Sequence, residues 1–395
     1  MKLTKLFKEF FESEQASGIL LILCTGFSIL VANMAWGLGY IEFWHQKIGV
    51  ALGRFTLNLS VEHWINDGLM VIFFLLIGLE IEREIYAGEL SDLKNATLPI
   101  FAALGGMLIP GLFHFLLNRG TETQSGFGVP MATDIAFALG VLALLGNRIP
   151  FALKVFLTAL AIIDDLGAIF VIALFYVGDF SLTYLLLSLG VFVGLLVLNR
   201  LGVKRLAWYL IPGFFMWYFM LQSGVHATLA GVLLAFAIPF GDGGENSPSY
   251  ILQHALHKPV AFLIVPLFAL ANTGIVLGEG WITSIASTNS LGVFLGLFAG
   301  KPLGIFLFSF LAVQFGLARL PNNVNWKHIV GAGFLGGIGF TMSIFITLLA
   351  FTDPAIVSST KISILLTSLL AGVTGYIFLS KLEGTRQPAN AGNAG

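Results

Sequence analysis

Long apolar runs separated by short polar segments make up most of this chain. Twelve runs can be delimited, each close to the ~20 residues that a helix needs to cross a bilayer. They cover residues 16–36, 64–85, 96–117, 129–146, 151–176, 182–199, 206–220, 222–240, 256–277, 291–313, 328–350 and 359–380. The pattern predicts an all-α polytopic membrane protein with about 12 transmembrane helices, forming a single transmembrane domain over residues 1–395.

The composition supports the membrane assignment. The chain is 57% apolar and only 10% charged, with a mean hydropathy of +0.92, whereas soluble domains carry roughly 25% charged residues. The net charge of −1 gives no indication of a nucleic-acid partner. The single cysteine, Cys24, lies in the first run, so no intramolecular disulfide can form.

Lysine and arginine predict the orientation. If both termini lie on one side, that side carries fifteen of the 20 basic residues, the other side carries four, and Lys301 lies within a span. This bias places both termini in the cytoplasm. Residues 1–15 are predicted to form a cytoplasmic amphipathic segment, and residues 384–395 to form a disordered cytoplasmic tail. The linker 37–63 is the longest, and its alternating stretch 48–59 suggests a short hairpin.

Two adjacent carboxylates, Asp164 and Asp165, lie near the middle of the apolar run from Phe151 to Tyr176. An ionised Asp at the bilayer centre costs at least ~2.5 kcal/mol, and adjacent charges repel. A salt bridge that only holds helices together would need a single Asp, so it explains one Asp better than two. The pair therefore predicts a proton or cation site. Lys301 is the deep cation of the sequence, so Asp164 or Asp165 is its natural partner.

Two predicted spans are interrupted. Residues 130–134 place a proline, a hydroxyl and a carboxylate in the fourth span, and residues 331–339 of the eleventh are rich in glycine. Close helix packing through small residues is the alternative explanation for these glycines. Unwound backbone at membrane depth occurs only inside protein or around a cavity. Because half-helix ends carry roughly ±0.5 charge, Asp134 would offset facing N-termini and Lys301 facing C-termini. Spans 3–5 and 10–12 then suggest inverted repeats.

These motifs resemble those of the bacterial NhaA-type sodium/proton antiporters. The matching stretches run in order over nearly the whole chain, at residues 64–70, 78–80 with 83–84, 132–138, 162–166, 300–304 and 336–343. The resemblance implies two crossed broken helices, 4 and 11. It also implies an electrogenic antiporter of the inner membrane that extrudes Na⁺ or Li⁺ for entering protons, with activation at alkaline pH, in Na⁺ and pH homeostasis.

The resemblance further implies a secondary active transporter rather than an enzyme, without a cofactor. Its partners would be Na⁺, Li⁺, H⁺ and the lipid bilayer, and a homodimer through the 37–63 hairpin would agree with the family. Asp165 would be the main cation carboxylate, with Asp164 as its companion and partner of Lys301. Thr133 would complete the Na⁺ site, and Asp134 would compensate the helix ends.

A second group of residues would act in regulation. By the resemblance, Glu80, Arg83 and Glu84 would line a cytoplasmic funnel where the pH response acts. His226 also matches a family position, although a hydrogen-bonded histidine at a helix end would explain it equally well. The segment 248–258, interpreted as a loop, departs from the family because it lacks most of the expected charged side chains.

Two other functions use similar features. An intramembrane aspartyl protease also needs two membrane carboxylates, but they must face each other from separate helices. Here they are neighbours on one helix, which argues against a protease. A sodium-coupled solute symporter would also use broken helices, yet it needs a larger polar cavity than the few polar side chains near this site suggest.

Overall fold

The computed structural model describes residues 2–52, 55–178, 180–278 and 281–384, and helices dominate them. The helices are α1 Lys2–Ala32, α2 Gly37–His45, α3 Val61–Ala87, α4 Leu93–Leu117, α5 Ile135–Leu144, α6 Phe151–Phe175, α7 Leu182–Arg200, α8 Ala207–Gln222, α9 Leu229–Ala237, α10 Pro248–Asn272, α11 Trp281–Ile285, α12 Thr288–Gln314, α13 Trp326–Gly336, α14 Phe340–Ala350 and α15 Pro354–Gly384. A 3₁₀ helix, Glu122–Met131, precedes α5, and short 3₁₀ turns lie at Glu89–Ser91 and Gly146–Arg148.

The apolar helices confirm an all-α polytopic membrane protein. Within the described residues, seven helices are long and apolar enough to cross a bilayer, and three bent helix pairs raise this number to at most ten. Helices α8 and α9 coincide with the predicted runs 206–220 and 222–240 but have only 16 and 9 residues. The count of twelve spans therefore remains a prediction.

The linker 37–63 forms a short helix and the predicted hairpin. After α2, strand β1 (Lys47–Leu52) pairs antiparallel with β2 (Phe55–Ser60), with Lys47 opposite Ser60. The Trp64 indole N–H donates to the Ile48 carbonyl at 2.9 Å and ties the hairpin to the start of α3. The hairpin prediction is confirmed, and its role in a homodimer stays a prediction.

Both ends of the chain carry predictions that the structure does not test. Residues 2–15 are the beginning of the continuous helix α1, and their location on the cytoplasmic membrane surface remains a prediction. Most of the predicted disordered tail 384–395 lies outside the described residues, since these end at Gly384.

The two interrupted spans are broken as predicted, and their breaks meet. The 3₁₀ helix and α5 are bent by 43° around residues 132–134, and α13 and α14 by 49° around residues 337–339. The Asp134 N–H donates to the Ile338 carbonyl at 2.7 Å, so backbone groups freed by one break are satisfied by the other. The arrangement of spans 3–5 and 10–12 as inverted repeats remains a prediction.

Helices α4 and α12 cross in very close contact at two glycines. A Cβ atom built on Gly105 would overlap the Gly304 carbonyl, and one built on Gly304 would overlap the Gly105 carbonyl. Helix α6 packs closely on α4 as well, since a Cβ at Gly167 would overlap the Met107 sulfur. Helix α4 thus holds α6, which carries the paired carboxylates, near α12, which carries Lys301.

The glycine crossing predicts a specific loss of stability. Gly304→Ala must separate α4 from α12, so we expect it to destabilise the protein by about 1–3 kcal/mol through overpacking. Gly190→Ala in α7 is the matched control, because nothing lies within 4 Å of a Cβ there. Thermal unfolding of both variants in detergent should show a lowered Tm for Gly304→Ala alone. An equal Tm for the two would contradict the close crossing.

Candidate functional site

A buried ion pair joins α12 to α6. The Lys301 Nζ lies 2.5 Å from the Asp164 Oδ2, and neither side chain is exposed at all. The same ammonium donates to the main-chain carbonyl of Met131, the last residue of the 3₁₀ helix. A helix C-terminus attracts positive charge, so this position suits a lysine. The residues alone left both carboxylates open as partners, the family resemblance implied Asp164, and the structure pairs Lys301 with Asp164.

Thr133 connects this ion pair to the second broken span. Its hydroxyl lies 2.7 Å from the Asp164 Oδ2 and 2.8 Å from the Gly336 carbonyl, at the last residue of α13. A hydroxyl carries a single proton, so it can donate to only one of these two oxygens at a time. The non-helical segment 132–134 therefore contributes an adaptable donor directly beside the carboxylates.

Asp165 is 2% exposed and follows Asp164 directly, so the two side chains diverge by ~100° around α6. Within the described part of the chain, the Oδ1 atoms of both aspartates are buried and accept no hydrogen bond. A buried acceptor without a partner is unfavourable, and native structures contain few of them. The two oxygens are thus suited to take up a proton or a small hard cation.

Asp134 lies where the two breaks cross and serves the N-termini of both following half-helices. Its Oδ1 accepts the Phe137 N–H at 2.9 Å, which caps α5. Its Oδ2 accepts the Thr341 N–H at 3.1 Å and the Thr341 hydroxyl at 2.5 Å, at the start of α14. A carboxylate at two helix N-termini is electrostatically favourable, and this is the position that the sequence assigned to Asp134.

A small cavity of about 50 Å³ lies between α1, α3, α5 and α10, with Glu80 and His257 in its otherwise mostly apolar wall. Glu80 is hydrogen-bonded to Gln253 of α10. One turn further along α3, the Arg83 guanidinium pairs with the Glu84 carboxylate at 3.1 Å. The structure therefore groups Glu80, Arg83 and Glu84 at the end of α3, beside α10.

The segment 248–258 is helical, so its interpretation as a loop was wrong. It forms the first half of α10, where the Ser247 hydroxyl accepts the Tyr250 N–H and Pro248 occupies the first turn. Both features are typical of helix N-termini. In consequence, Gln253 is directed at Glu80, a contact that the sequence gave no reason to expect.

His226 lies apart from the Glu80 group. It occupies the turn between α8 and α9 and is hydrogen-bonded to the backbone of Tyr176, at the C-terminal end of α6. It does not belong to the wall of the cavity that Glu80 lines. The structure thus gives His226 the helix-end hydrogen bond that was its alternative explanation.

Several site groups were not singled out from the sequence. Thr341 is the chief example, because it follows the glycine-rich break and holds Asp134 through both its N–H and its hydroxyl. A threonine at the first turn of the half-helix was the available signal. The carbonyls of Met131 and Gly336 left no signal, since any residue supplies a carbonyl.

The Asp134–Thr341 contact leads to a prediction about stability. Thr341→Val removes a hydroxyl that donates to a buried carboxylate, so we expect destabilisation by about 1–3 kcal/mol. Thr347→Val on the same helix is the control, because the Thr347 hydroxyl donates only to the Ser343 carbonyl of its own helix. Chemical denaturation of both variants in detergent checks this. A smaller loss for Thr341→Val than for Thr347→Val would contradict the assigned contact.

Comparisons with known proteins identify the family of the chain. The family model described as "Na+/H+ antiporter 1" matches residues 8–379. The chain is 61% identical over 379 residues to the Na(+)/H(+) antiporter NhaA of Flavobacterium psychrophilum, covering 96% of this chain and 97% of that protein. It is 60% identical over 383 residues to the NhaA protein of Dechloromonas aromatica, covering 96% of each, and 52% identical over 378 residues to that of Aliivibrio fischeri, covering 94% of this chain and 97% of that protein. The chain therefore belongs to the Na⁺/H⁺ antiporter 1 family.

Proposed function

We propose that this multi-pass Na⁺/H⁺ antiporter extrudes Na⁺ or Li⁺ electrogenically, with Asp165 as the main cation carboxylate and Asp164 and Thr133 completing the site. The observation that carries the proposal is the buried cluster at the helix breaks. Asp164 and Asp165 are adjacent and buried there, each with an oxygen that accepts no hydrogen bond from the described residues. Carboxylate and hydroxyl oxygens are the ligands that small hard cations prefer.

Competition for these oxygens couples the two ions. A carboxylate holds either a proton or Na⁺, and two adjacent carboxylates in a buried site cannot both stay charged without a cation. Binding of Na⁺ therefore releases protons, and protonation releases Na⁺. At acidic pH the carboxylates hold protons that Na⁺ must displace, and this lowers the apparent affinity for Na⁺. The apparent KM for Na⁺ therefore falls as the pH rises.

Lys301 makes the exchange electrogenic. While Na⁺ is absent, its ammonium neutralises Asp164 at 2.5 Å. When Na⁺ takes over Asp164, the lysine loses its counter-charge in a buried site and gives up a proton. Asp165, protonated while Na⁺ is absent, gives up a second proton when Na⁺ binds. Two protons then move against one Na⁺, so each cycle transfers net charge and draws on the membrane potential at ~2.3 kcal/mol per charge per 100 mV.

The crossed breaks let the site open to either membrane face. The half-helices on each side of the breaks are bent relative to one another by 43° and 49°. Asp134 holds the crossing together through both helix N-termini. Small movements of the half-helices around this fixed point expose the carboxylates to one side and then the other.

The predicted orientation sets the direction of transport. With both termini in the cytoplasm of a bacterial inner membrane, inward protons drive Na⁺ outward in Na⁺ and pH homeostasis. Glu80, Arg83 and Glu84 then lie at the cytoplasmic entrance, where activation at alkaline pH acts, and a homodimer forms through the β1–β2 hairpin. The rival sodium-coupled symporter is not favoured, since the relatives' names describe Na⁺/H⁺ antiport.

Exchange in inside-out vesicles tests the proposal. We expect Na⁺ and Li⁺, but not K⁺, to collapse a respiration-driven pH gradient, with Asp165→Asn inactive because an amide cannot exchange a proton for a cation. Asp353→Asn is the matched control, because Asp353 is exposed and only caps α15. A membrane potential should accelerate the exchange if charge moves.

Full retention of exchange in Asp165→Asn would overturn the assigned site. Exchange that ignores the membrane potential would overturn the electrogenic stoichiometry alone. Solute-dependent Na⁺ uptake without any collapse of the pH gradient would favour the symporter instead.

A further inference from the structure

Three spans of the described chain contain a π turn, in which an N–H donates to the carbonyl five residues earlier. These turns are Trp64–Leu69 in α3, Val260–Ile264 in α10 and Gly296–Gly300 in α12. A π turn inserts one extra residue into a helix and is frequent at functional sites. The turn Gly296–Gly300 ends immediately before Lys301, so it sets the direction in which this side chain leaves α12.

Pro302 accounts for the turn. In an α-helix, residue 302 would donate its N–H to the Phe298 carbonyl, but proline has no N–H and its ring clashes with that carbonyl. Widening the helix relieves the clash, and the Lys301 N–H donates to the Gly296 carbonyl instead. The Leu297 carbonyl loses this donor and lies against the second break, where a Cβ on Gly337 would overlap it.

Two glycines fit the widened turn against two prolines. A Cβ on Gly296 would lie 2.6 Å from the Pro130 Cβ, and one on Gly300 would lie 2.9 Å from the Pro110 Cα. Pro130 belongs to the 3₁₀ helix that ends at Met131, whose carbonyl accepts the Lys301 ammonium. The surface that holds the π turn thus also carries an acceptor of Lys301.

We propose that Gly300 and Pro302 are positioning residues, which act through the π turn to hold the Lys301 ammonium at Asp164. The proposal rests on the proposed function, because the exchange requires Lys301 to neutralise Asp164 until Na⁺ arrives. A larger residue at Gly300 pushes the turn away from Pro110. Loss of Pro302 allows the turn to close as an α-helix, which redirects Lys301. Either change alters how Na⁺ and protons compete, although every ionisable side chain is kept.

The test compares Gly300→Ala and Pro302→Ala with two matched controls. Gly194→Ala lies in α7 with open space around its Cβ, and Pro212→Ala removes a proline from within α8. Na⁺-driven exchange is measured in vesicles with the full-length protein across a range of pH. We expect Gly300→Ala and Pro302→Ala to change the apparent KM for Na⁺ by about threefold or more and to displace the pH profile, because both alter the competition between Lys301 and Na⁺ for Asp164. Both controls should keep the wild-type KM and profile.

Other outcomes overturn the proposal. Folded Gly300→Ala and Pro302→Ala proteins with wild-type KM and pH profile would do so, as would a fall in maximal rate alone that matches the amount of folded protein. If neither variant folds, an experimental structure of the wild-type chain decides, and a Lys301 N–H bonded to Leu297 would overturn the proposal. The proposed function fails on a separate observation, which is exchange retained by Asp165→Asn.

Discussion

The buried pair of Lys301 and Asp164 is the interaction on which the rest of the site depends. Two charges without access to water are strongly unfavourable unless each is neutralised and hydrogen-bonded. The ammonium has the Asp164 carboxylate and the Met131 carbonyl, and the carboxylate also has the Thr133 hydroxyl. Removing either charge leaves the other uncompensated. This pair therefore contributes to the stability of the fold, and in the proposed exchange Na⁺ takes the place of the ammonium at Asp164.

The crossed breaks provide what this pair requires. Ordinary helices would cover the Met131 and Gly336 carbonyls with their own N–H groups, whereas the breaks free them to face Lys301 and Thr133. The freed N-termini would be unfavourable inside a membrane. Asp134 satisfies both of them, so one carboxylate offsets the positive helix ends while Lys301 lies at a negative end.

The functional importance of polar residues at membrane depth could be predicted from the sequence, because such residues are unfavourable there. The Asp164–Asp165 pair, Lys301 and Asp134 were recognised on that ground, the two breaks from their proline and glycine residues, and the hairpin from its alternation. The residues alone did not decide the partner of Lys301, since residues adjacent on a helix differ only in direction, and only the family resemblance implied Asp164. The π turn before Lys301 was missed, as hydrogen bonds five residues apart leave no periodic pattern. The beginning of α10, residues 248–258, was wrongly interpreted as a loop, because its polar side chains gave no sign of a capped helix N-terminus.

Proton release on Na⁺ binding tests the central claim most directly, because it requires neither transport nor a membrane. Purified protein in detergent is titrated with Na⁺ by calorimetry in two buffers of different ionisation enthalpy, which gives the number of protons released. The account predicts proton release on Na⁺ binding in the wild-type chain and none in Asp165→Asn. Na⁺ binding without proton release, or equal release from both proteins, would contradict competition at the paired carboxylates.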